Sequence, residues 1–422
     1  MSRRRWLRRG LWLAAFGCLW INVCDDPPLR TDAYVLDATP NEAVVGLITA
    51  APATSEMTVR DAAGAVVATA REAAPVRRHQ LRAKGLQPAS DYVYEVRSGA
   101  DRHAGVLRTP SAAPDAALRF AVLGDSGDQS RWVKLQRTPL WHWPARLGWL
   151  PDHGTVTAVG AELASWRPDF VLHLGDVIYP NGQYAHYMSG FFRPFAAVLR
   201  DAPVYAVLGN HDVMDASGRQ LLGALRTREA LARDGGRNFA VVRGPARILI
   251  VDCNDSYGGR RYEAGHPTHD FLQAELAAAS EPWLVVASHF PMRSASRQRD
   301  RADLLLALMP QLVEHGVGLY LSGHDHCYQR FGESGGEEPV LVVSGGGGKD
   351  LYEVRPDARA QVLDPAFHWC AVEIAQGRMR VQARELGGRQ IDAFEVKLPA
   401  GQTLERIARR NPTRAQRIER LR

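Results

Sequence analysis

At 422 residues the chain is too long for one typical hydrophobic core, so two or more domains are expected. Its 45% hydrophobic and 23% charged content is that of a globular protein and excludes long disorder. Much of the excess behind the net charge of +6 sits at the two ends, with no basic stripe between them, so no nucleic-acid partner is expected.

The chain opens with Arg3, Arg4, Arg5, Arg8 and Arg9, followed by an apolar stretch from Leu11 to Val23. A positive n-region before a short h-region predicts a signal or membrane-anchor leader over 1–26. Ser2-Arg3-Arg4-Arg5-Trp6-Leu7 also resembles a twin-arginine export signal. The expectation is an exported protein, periplasmic, secreted or tethered to a membrane through this leader. Cys18 and Cys24 belong to the leader, and Cys253, Cys327 and Cys370 form no C-x-x-C pair, so no disulfide framework is implied. Cys327 reads as a buried thiol.

Residues 27–112 read as all-β. Ala43–Ile48, Glu56–Val59 and Val66–Thr69 alternate apolar and polar residues between closely spaced turns, as in a sandwich. Gly85-Leu86-Gln87-Pro88-Ala89-Ser90-Asp91-Tyr92 resembles the tyrosine corner of fibronectin type III domains, with Tyr92 at the corner. After the linker Thr109–Pro114 the pattern changes to alternating strands and helices over 117–398. Strands are predicted at 119–123, 170–174, 204–208, 248–251, 284–287 and 318–321. Helices are predicted at 155–166, from a Thr268 N-cap, and at 302–315 with Gly316 as the stop. Strands at 340–343, 369–374 and 379–383 suggest a second sheet. An insertion at 129–151 carries Trp141, His142, Trp143 and Trp149 and reads as a lid or a membrane-facing loop. The basic tail, 399–422, reads as solvated and partly frayed, with Pro412 interrupting any helix.

Five short motifs follow predicted strands: Gly124-Asp125-Ser126-Gly127, Gly175-Asp176-Val177-Ile178-Tyr179, Gly209-Asn210-His211-Asp212, Ser288-His289-Phe290-Pro291 and Gly323-His324-Asp325-His326. Each therefore places polar side chains at the carboxyl end of a strand, where open α/β sheets bind ligands. Hydrolysis of a phosphate ester is helped by two cations roughly 3.5–4 Å apart, which activate water and neutralise the phosphoryl oxygens. Asp125, Asp176, Asn210, His289, His324 and His326 supply six ligands for such a pair, and Tyr179 a seventh. Asp176 is the natural bridge, since its two oxygens can be shared. If the last motif is extended, His324 and His326 face the same way. His173 reads as core.

These residues make the region from about 118 to 396 resemble the calcineurin-like metallophosphoesterases. The tyrosine of Gly175-Asp176-Val177-Ile178-Tyr179 makes it similar to their purple acid phosphatase branch, whose large members also carry a preceding sandwich. The resemblance implies an α/β catalytic domain of the αββα sandwich type behind a fibronectin-III-like domain. It implies one metal on Asp125, Asp176, Tyr179 and His326, and a second on Asp176, Asn210, His289 and His324. The first would be Fe(III), the second Zn, Fe(II) or Mn(II). A phenolate at Tyr179 would offset the extra charge of a trivalent ion, returning the centre to roughly +1. The resemblance makes His211 the residue that contacts phosphate and protonates the leaving group, with Asp212 placed to orient it.

One departure stands out. Where plant-type members carry further histidines after the His289 motif, this chain reads Met292-Arg293-Ser294-Ala295-Ser296-Arg297-Gln298-Arg299. Arginine forks suit phosphate oxygens and take over that contact in this reading. Gly345 to Gly348 lack a following Lys-Ser/Thr pair and read as a tight turn near the site. The expected activity is hydrolysis of small-molecule phosphate monoesters by a bridging hydroxide on a dinuclear centre. The rivals are a phosphodiesterase or nucleotidase on the same centre, and a cell-surface binding protein with a vestigial metal site.

Overall fold

The computed structural model describes residues 29–127, 154–254, 261–397 and 412–421. The leader, the tryptophan-bearing insertion and residues 398–411 of the tail lie outside the described residues.

Seven antiparallel strands come first: β1 (Tyr34–Ala38), β2 (Glu42–Ala53), β3 (Ser55–Arg60), β4 (Val66–Arg71), β5 (Val76–Lys84), β6 (Asp91–Ser98) and β7 (Asp101–Arg108). They form two sheets, β1-β2-β5 and β4-β3-β6-β7. Alternate residues of both face one core that includes Val45, Leu47, Met57, Val59, Leu81, Tyr94 and Val96. The Tyr92 hydroxyl accepts a hydrogen bond from the backbone N–H of Gln87, five residues upstream, at 2.8 Å. That is the tyrosine corner expected of the segment.

The catalytic-domain strands form two further sheets. The first contains β8 (Leu118–Leu123), β9 (Phe170–His173) and β10 (Val204–Ala206), which run parallel. The second contains β11 (Phe239–Arg243), β12 (Ala246–Ile250), β13 (Trp283–Ala287), β14 (Leu319–Ser322), β15 (Tyr328–Phe331), β16 (Val340–Ser344) and β17 (Ala360–Asp364). The chain then returns to the first sheet with β18 (His368–Ala375), β19 (Arg378–Glu385) and β20 (Gln390–Val396). The sheet orders are β10-β9-β8-β18-β19-β20 and β11-β12-β13-β14-β16-β15-β17. The strand at 340–343 therefore does not share a sheet with the strands at 369–374 and 379–383. It is the parallel neighbour of β14, and the later pair extends the first sheet beside β8.

The two-residue period of each strand sets the layers. Phe120 and Val122 of β8 point between the sheets, toward Ile248, Val285 and Leu319. Ala121 and Leu123 point outward, where Val156, Val159 and Leu163 of helix α1 (Gly154–Trp166) cover them. On the far side, Leu249, Val286 and Tyr320 pack under α2 (Pro267–Ala278) and α3 (Ala302–His315). The result is helix, sheet, sheet, helix. The sandwich lies on the α1 side: Tyr34, Leu36, Val44 and Ile48 share a core with that layer. The Tyr34 hydroxyl also donates to Ala224 O at 2.7 Å, and the Tyr94 hydroxyl to Arg200 O at 2.8 Å.

Two helix ends differ from expectation. His266, not Thr268, is the N-cap of α2, because Pro267 already fits the first helical position and Thr268 turns its hydroxyl to Asp252 O. Pro412 opens helix α4 (Pro412–Leu421) where a break was expected, since a first-turn proline loses no intrahelical hydrogen bond. The buried Arg414 then donates to the carbonyl oxygens of Glu281, His315, Pro282 and Gly316, two of them at the end of α3. Cationic donors at a helix carboxyl end are favourable, so this part of the tail is docked, not frayed. Among the described residues no helix is long and apolar enough to cross a membrane.

Candidate metal centre

Both parallel strand sets point their carboxyl ends to one place. Asp125 leaves β8, Asp176 follows β9, and Asn210 and His211 open a one-turn helix after β10. His289 follows β13, and His324 and His326 follow β14. Five strands on two sheets thus bring all seven predicted ligands together.

The loops that carry them are forced turns. Asp125, Asp176 and His324 have positive φ values of 57°, 51° and 68°. Non-glycine residues in this region cost stability and cluster at functional sites. The last motif is accordingly not extended: Asp325 N bonds Gly323 O at 2.8 Å and Cys327 N bonds Asp325 O at 2.7 Å. His324 and His326 reach the site from a kinked turn, not from strand alternation. Gly209 is required for another reason: a Cβ there would lie 2.1 Å from Asp176 Oδ1 and 2.2 Å from Asp176 N.

The polar atoms meet in two groups. In the first, the Tyr179 hydroxyl lies 3.0 Å from Asp125 Oδ1, 2.9 Å from Asp176 Oδ2 and 3.2 Å from His326 Nε2. His326 donates its Nδ1–H to Asp350 O at 2.7 Å, so in the neutral ring Nε2 is an acceptor. Three acceptors therefore converge on one hydroxyl proton. In the second group, Asn210 Oδ1 lies 3.0 Å from His289 Nε2 and 3.1 Å from His324 Nδ1. His289 donates Nδ1–H to Leu174 O at 2.8 Å and sets Nε2 3.5 Å from Asp176 Oδ1. Asp176 thus turns one oxygen to each group. Ligand atoms of Asp125, Asp176 and His289 all lie within 4.8 Å of one another.

Burial makes this donor set unfavourable without a cation. It pushes the Asp125 carboxyl and the Tyr179 hydroxyl well above their usual ranges, because neither anion is solvated there. It pushes His324 down to about 3 and His326 down to about 4, which leaves both rings neutral and able to ligate. Burial acts the same way on His289, but the Asp176 carboxylate beside it outweighs that and raises the ring. Buried acceptors facing one another, with their outer nitrogens fixed by backbone carbonyls, fit a metal centre.

His211 sits beside the centre. Its ring lies 4.5 Å from the Tyr179 ring, and Nε2 is 3.9 Å from Asp176 Oδ2. Asp212 does not orient it. The Asp212 carboxylate accepts instead from Val177 N at 3.0 Å and Gly209 N at 2.9 Å, tying two ligand loops together. The His211 Nδ1–H donates to Pro180 O, and that carbonyl sets the ring. His173 is core: its Nε2 bonds Ser126 Oγ at 2.8 Å, and Phe191 and Phe195 pack on it. Cys253, Cys327 and Cys370 are buried thiols outside any disulfide.

Sequence reasoning missed the loop after the glycine run. Lys349 N donates to Asp125 O, and Tyr352 N to His326 O, both at 2.9 Å. The Lys349 ammonium lies 4.9 Å from the centre of the Tyr179 ring. The Tyr352 ring stacks on His326 at 3.9 Å. The glycine run itself was the available signal: a Cβ on Gly345 would meet Asp325 O at 2.2 Å and Asp125 Oδ2 at 2.7 Å.

Residues 118–328, half the chain, match the Calcineurin-like phosphoesterase family. This chain belongs to that family. Its relatives include purple acid phosphatase 17 of Arabidopsis thaliana, 27% identical over 217 residues, which are 47% of this chain and 63% of that protein. They also include tartrate-resistant acid phosphatase type 5 of Mus musculus, 27% identical over 324 residues, 69% of this chain and 94% of that one. The structure of purple acid phosphatase PPD1 from yellow lupin seeds shares the fold, with a TM-score of 0.70 at 15% identity over 89% of this chain and 75% of that one. As a family member the chain has the metallophosphoesterase fold, here preceded by the β-sandwich.

Proposed function

We propose that this chain is a metal-dependent phosphatase of the purple acid type, hydrolysing phosphate monoesters at a two-metal centre. The observation that carries the reading is Asp176, which turns Oδ2 to the Tyr179 group and Oδ1 to the His289 group. On this reading Asp125, Asp176, Tyr179 and His326 hold one ion, and Asp176, Asn210, His289 and His324 the other. When bound, the ions supply an activated water and the positive charge that neutralises the phosphoryl oxygens.

The chain's own groups do the rest. Leu174 O and Asp350 O hold the His289 and His326 rings with Nε2 inward. The His211 Nδ1–H donates to Pro180 O, so in the imidazolium the Nε2 proton is the one offered to the leaving alkoxide. Ligated, Tyr179 would be a phenolate, whose negative charge would match a ferric ion in the first subsite. The leader exports the folded enzyme. Monoester and diester rates, measured on full-length protein with iron and with zinc or manganese, test the proposal. A clear monoester preference supports it. Diester preference favours the phosphodiesterase reading, and absence of any hydrolysis favours the vestigial site.

A further inference from the structure

The loop after β16 is tied to two of the residues proposed to hold the first ion. Gly347 N donates to Gly124 O and Lys349 N to Asp125 O, and three residues later Tyr352 N donates to His326 O, each at 2.9 Å. The glycine run permits that approach. A Cβ on Gly347 would lie 2.4 Å from Gly124 O, and one on Gly345 would lie 2.2 Å from Asp325 O. The backbone around Lys349 is therefore pinned between the Asp125 and His326 turns. From there its ammonium lies over the Tyr179 ring, 4.9 Å from the centroid, inside the roughly 6 Å reach of a cation–π contact.

The ring beneath that ammonium is closely packed. Tyr179 is only 3% exposed, a Cβ on Gly127 would lie 2.2 Å from its Cδ2, and the His211 ring is 4.5 Å away. A cation beside a buried ring acts with little screening by water. The Tyr179 hydroxyl faces Asp125, Asp176 and His326, while Lys349 lies over the ring, so its charge bears first on the aromatic donor. The same charge reaches the neighbouring imidazole: burial lowers His326 to about 4, and Lys349 pushes it in the same direction. A phenolate offsets the extra charge of a trivalent ion. An ammonium over its ring withdraws part of that offset.

We propose that Lys349 tunes Tyr179: its ammonium takes back part of the negative charge that the phenolate would offer, so the subsite holds a trivalent ion less firmly than its four ligands alone would. The proposal rests on the reading of Tyr179 as a ligand. Visible spectra and redox titration of full-length, iron-loaded protein in phosphate-free buffer test it, on wild type, K349M and K349R. Removing the cation raises the phenolate donor level and strengthens its hold on Fe(III). K349M should therefore move the tyrosine charge-transfer band to longer wavelength, by roughly 10–20 nm, and shift the reduction potential of that iron lower. K349R keeps the charge and should stay near wild type in both readouts. Metal content and thermal unfolding check that each variant is loaded and folded. A band and potential unmoved in K349M overturn the tuning role and leave Tyr179 a ligand. So does a change that K349R shares in full, or iron lost from K349M, since either makes Lys349 a structural support instead. If the iron-loaded wild type has no band that Y179F removes, the ligand reading itself fails and the tuning with it, so the two failures are distinct.

Discussion

At the metal centre every predicted ligand except Asn210 and His324 is buried outright, and those two are only partly open. Imidazoles are fixed by main-chain carbonyls, and three ligand-bearing positions hold positive φ. Beside it, the exposed Arg297 stacks on Tyr352 from a loop whose anchors are Ser294, Ala295 and Asp325. The centre is built to stay as it is before substrate arrives. The centre and the loop beside it are thus held by different contacts, main-chain carbonyls for the one and the Asp325 carboxylate and Gln329 for the other.

The largest effect expected is at the shared ligand. D176A removes an oxygen from both groups and should lower kcat/KM on a simple aryl phosphate by about a thousandfold or more. A tenfold loss would mean that Asp176 serves one subsite only. H211A should reduce kcat about a hundredfold for alkyl phosphates and much less for p-nitrophenyl phosphate, whose leaving group needs no proton. Equal losses on both would make His211 a binding residue instead. On the loop beside the centre, S294A removes a hydrogen bond to the buried Asp325 carboxylate. It should raise KM several-fold and lower stability by about 1–3 kcal/mol, with metal content unchanged. Loss of metal would show that the loop and the centre are not separable.

The smallest effect on turnover is expected at the strand that underlies the glycine run, where stability alone should respond. His368 bonds Ser344 Oγ at 3.0 Å and Ala366 O at 2.8 Å, and its N–H bonds Gly346 O. Burial lowers it to about 4, against an ordinary 6.5. The unfolded chain therefore takes up this proton first as pH falls. The contribution is fully present above pH 6.5 and is lost between there and about 4, by roughly 3 kcal/mol. H368Q should flatten that part of the stability curve in urea unfolding at several pH values, and an unchanged slope would remove His368 as the cause.

What could be read from the chain alone follows the same division. Asp125, Asp176, Asn210 and the three histidines are legible because metal chemistry demands those residue types after strands. The sandwich is legible from alternation and from Tyr92. Strands β11, β15, β17 and β20 are not, because short, polar or edge strands such as Tyr328-Gln329-Arg330-Phe331 carry little periodic signal. Asp212 was misjudged because a neighbour in sequence was taken for a partner, while its carboxylate caps Gly209 instead. The Tyr352 stack on His326 joins residues 26 positions apart, and no local spacing encodes it.

The central claim is that two ions occupy distinguishable halves of one centre bridged by Asp176. Metal analysis of the purified wild type, H326A, H289A and Y179F tests it most directly, with visible spectra of the same iron-loaded samples. Two equivalents are expected in the wild type, with a band that Y179F abolishes. H326A should lose one equivalent together with the band, and H289A one equivalent with the band retained. A single equivalent in the wild type, or the same ion lost from H326A and H289A, would contradict the account.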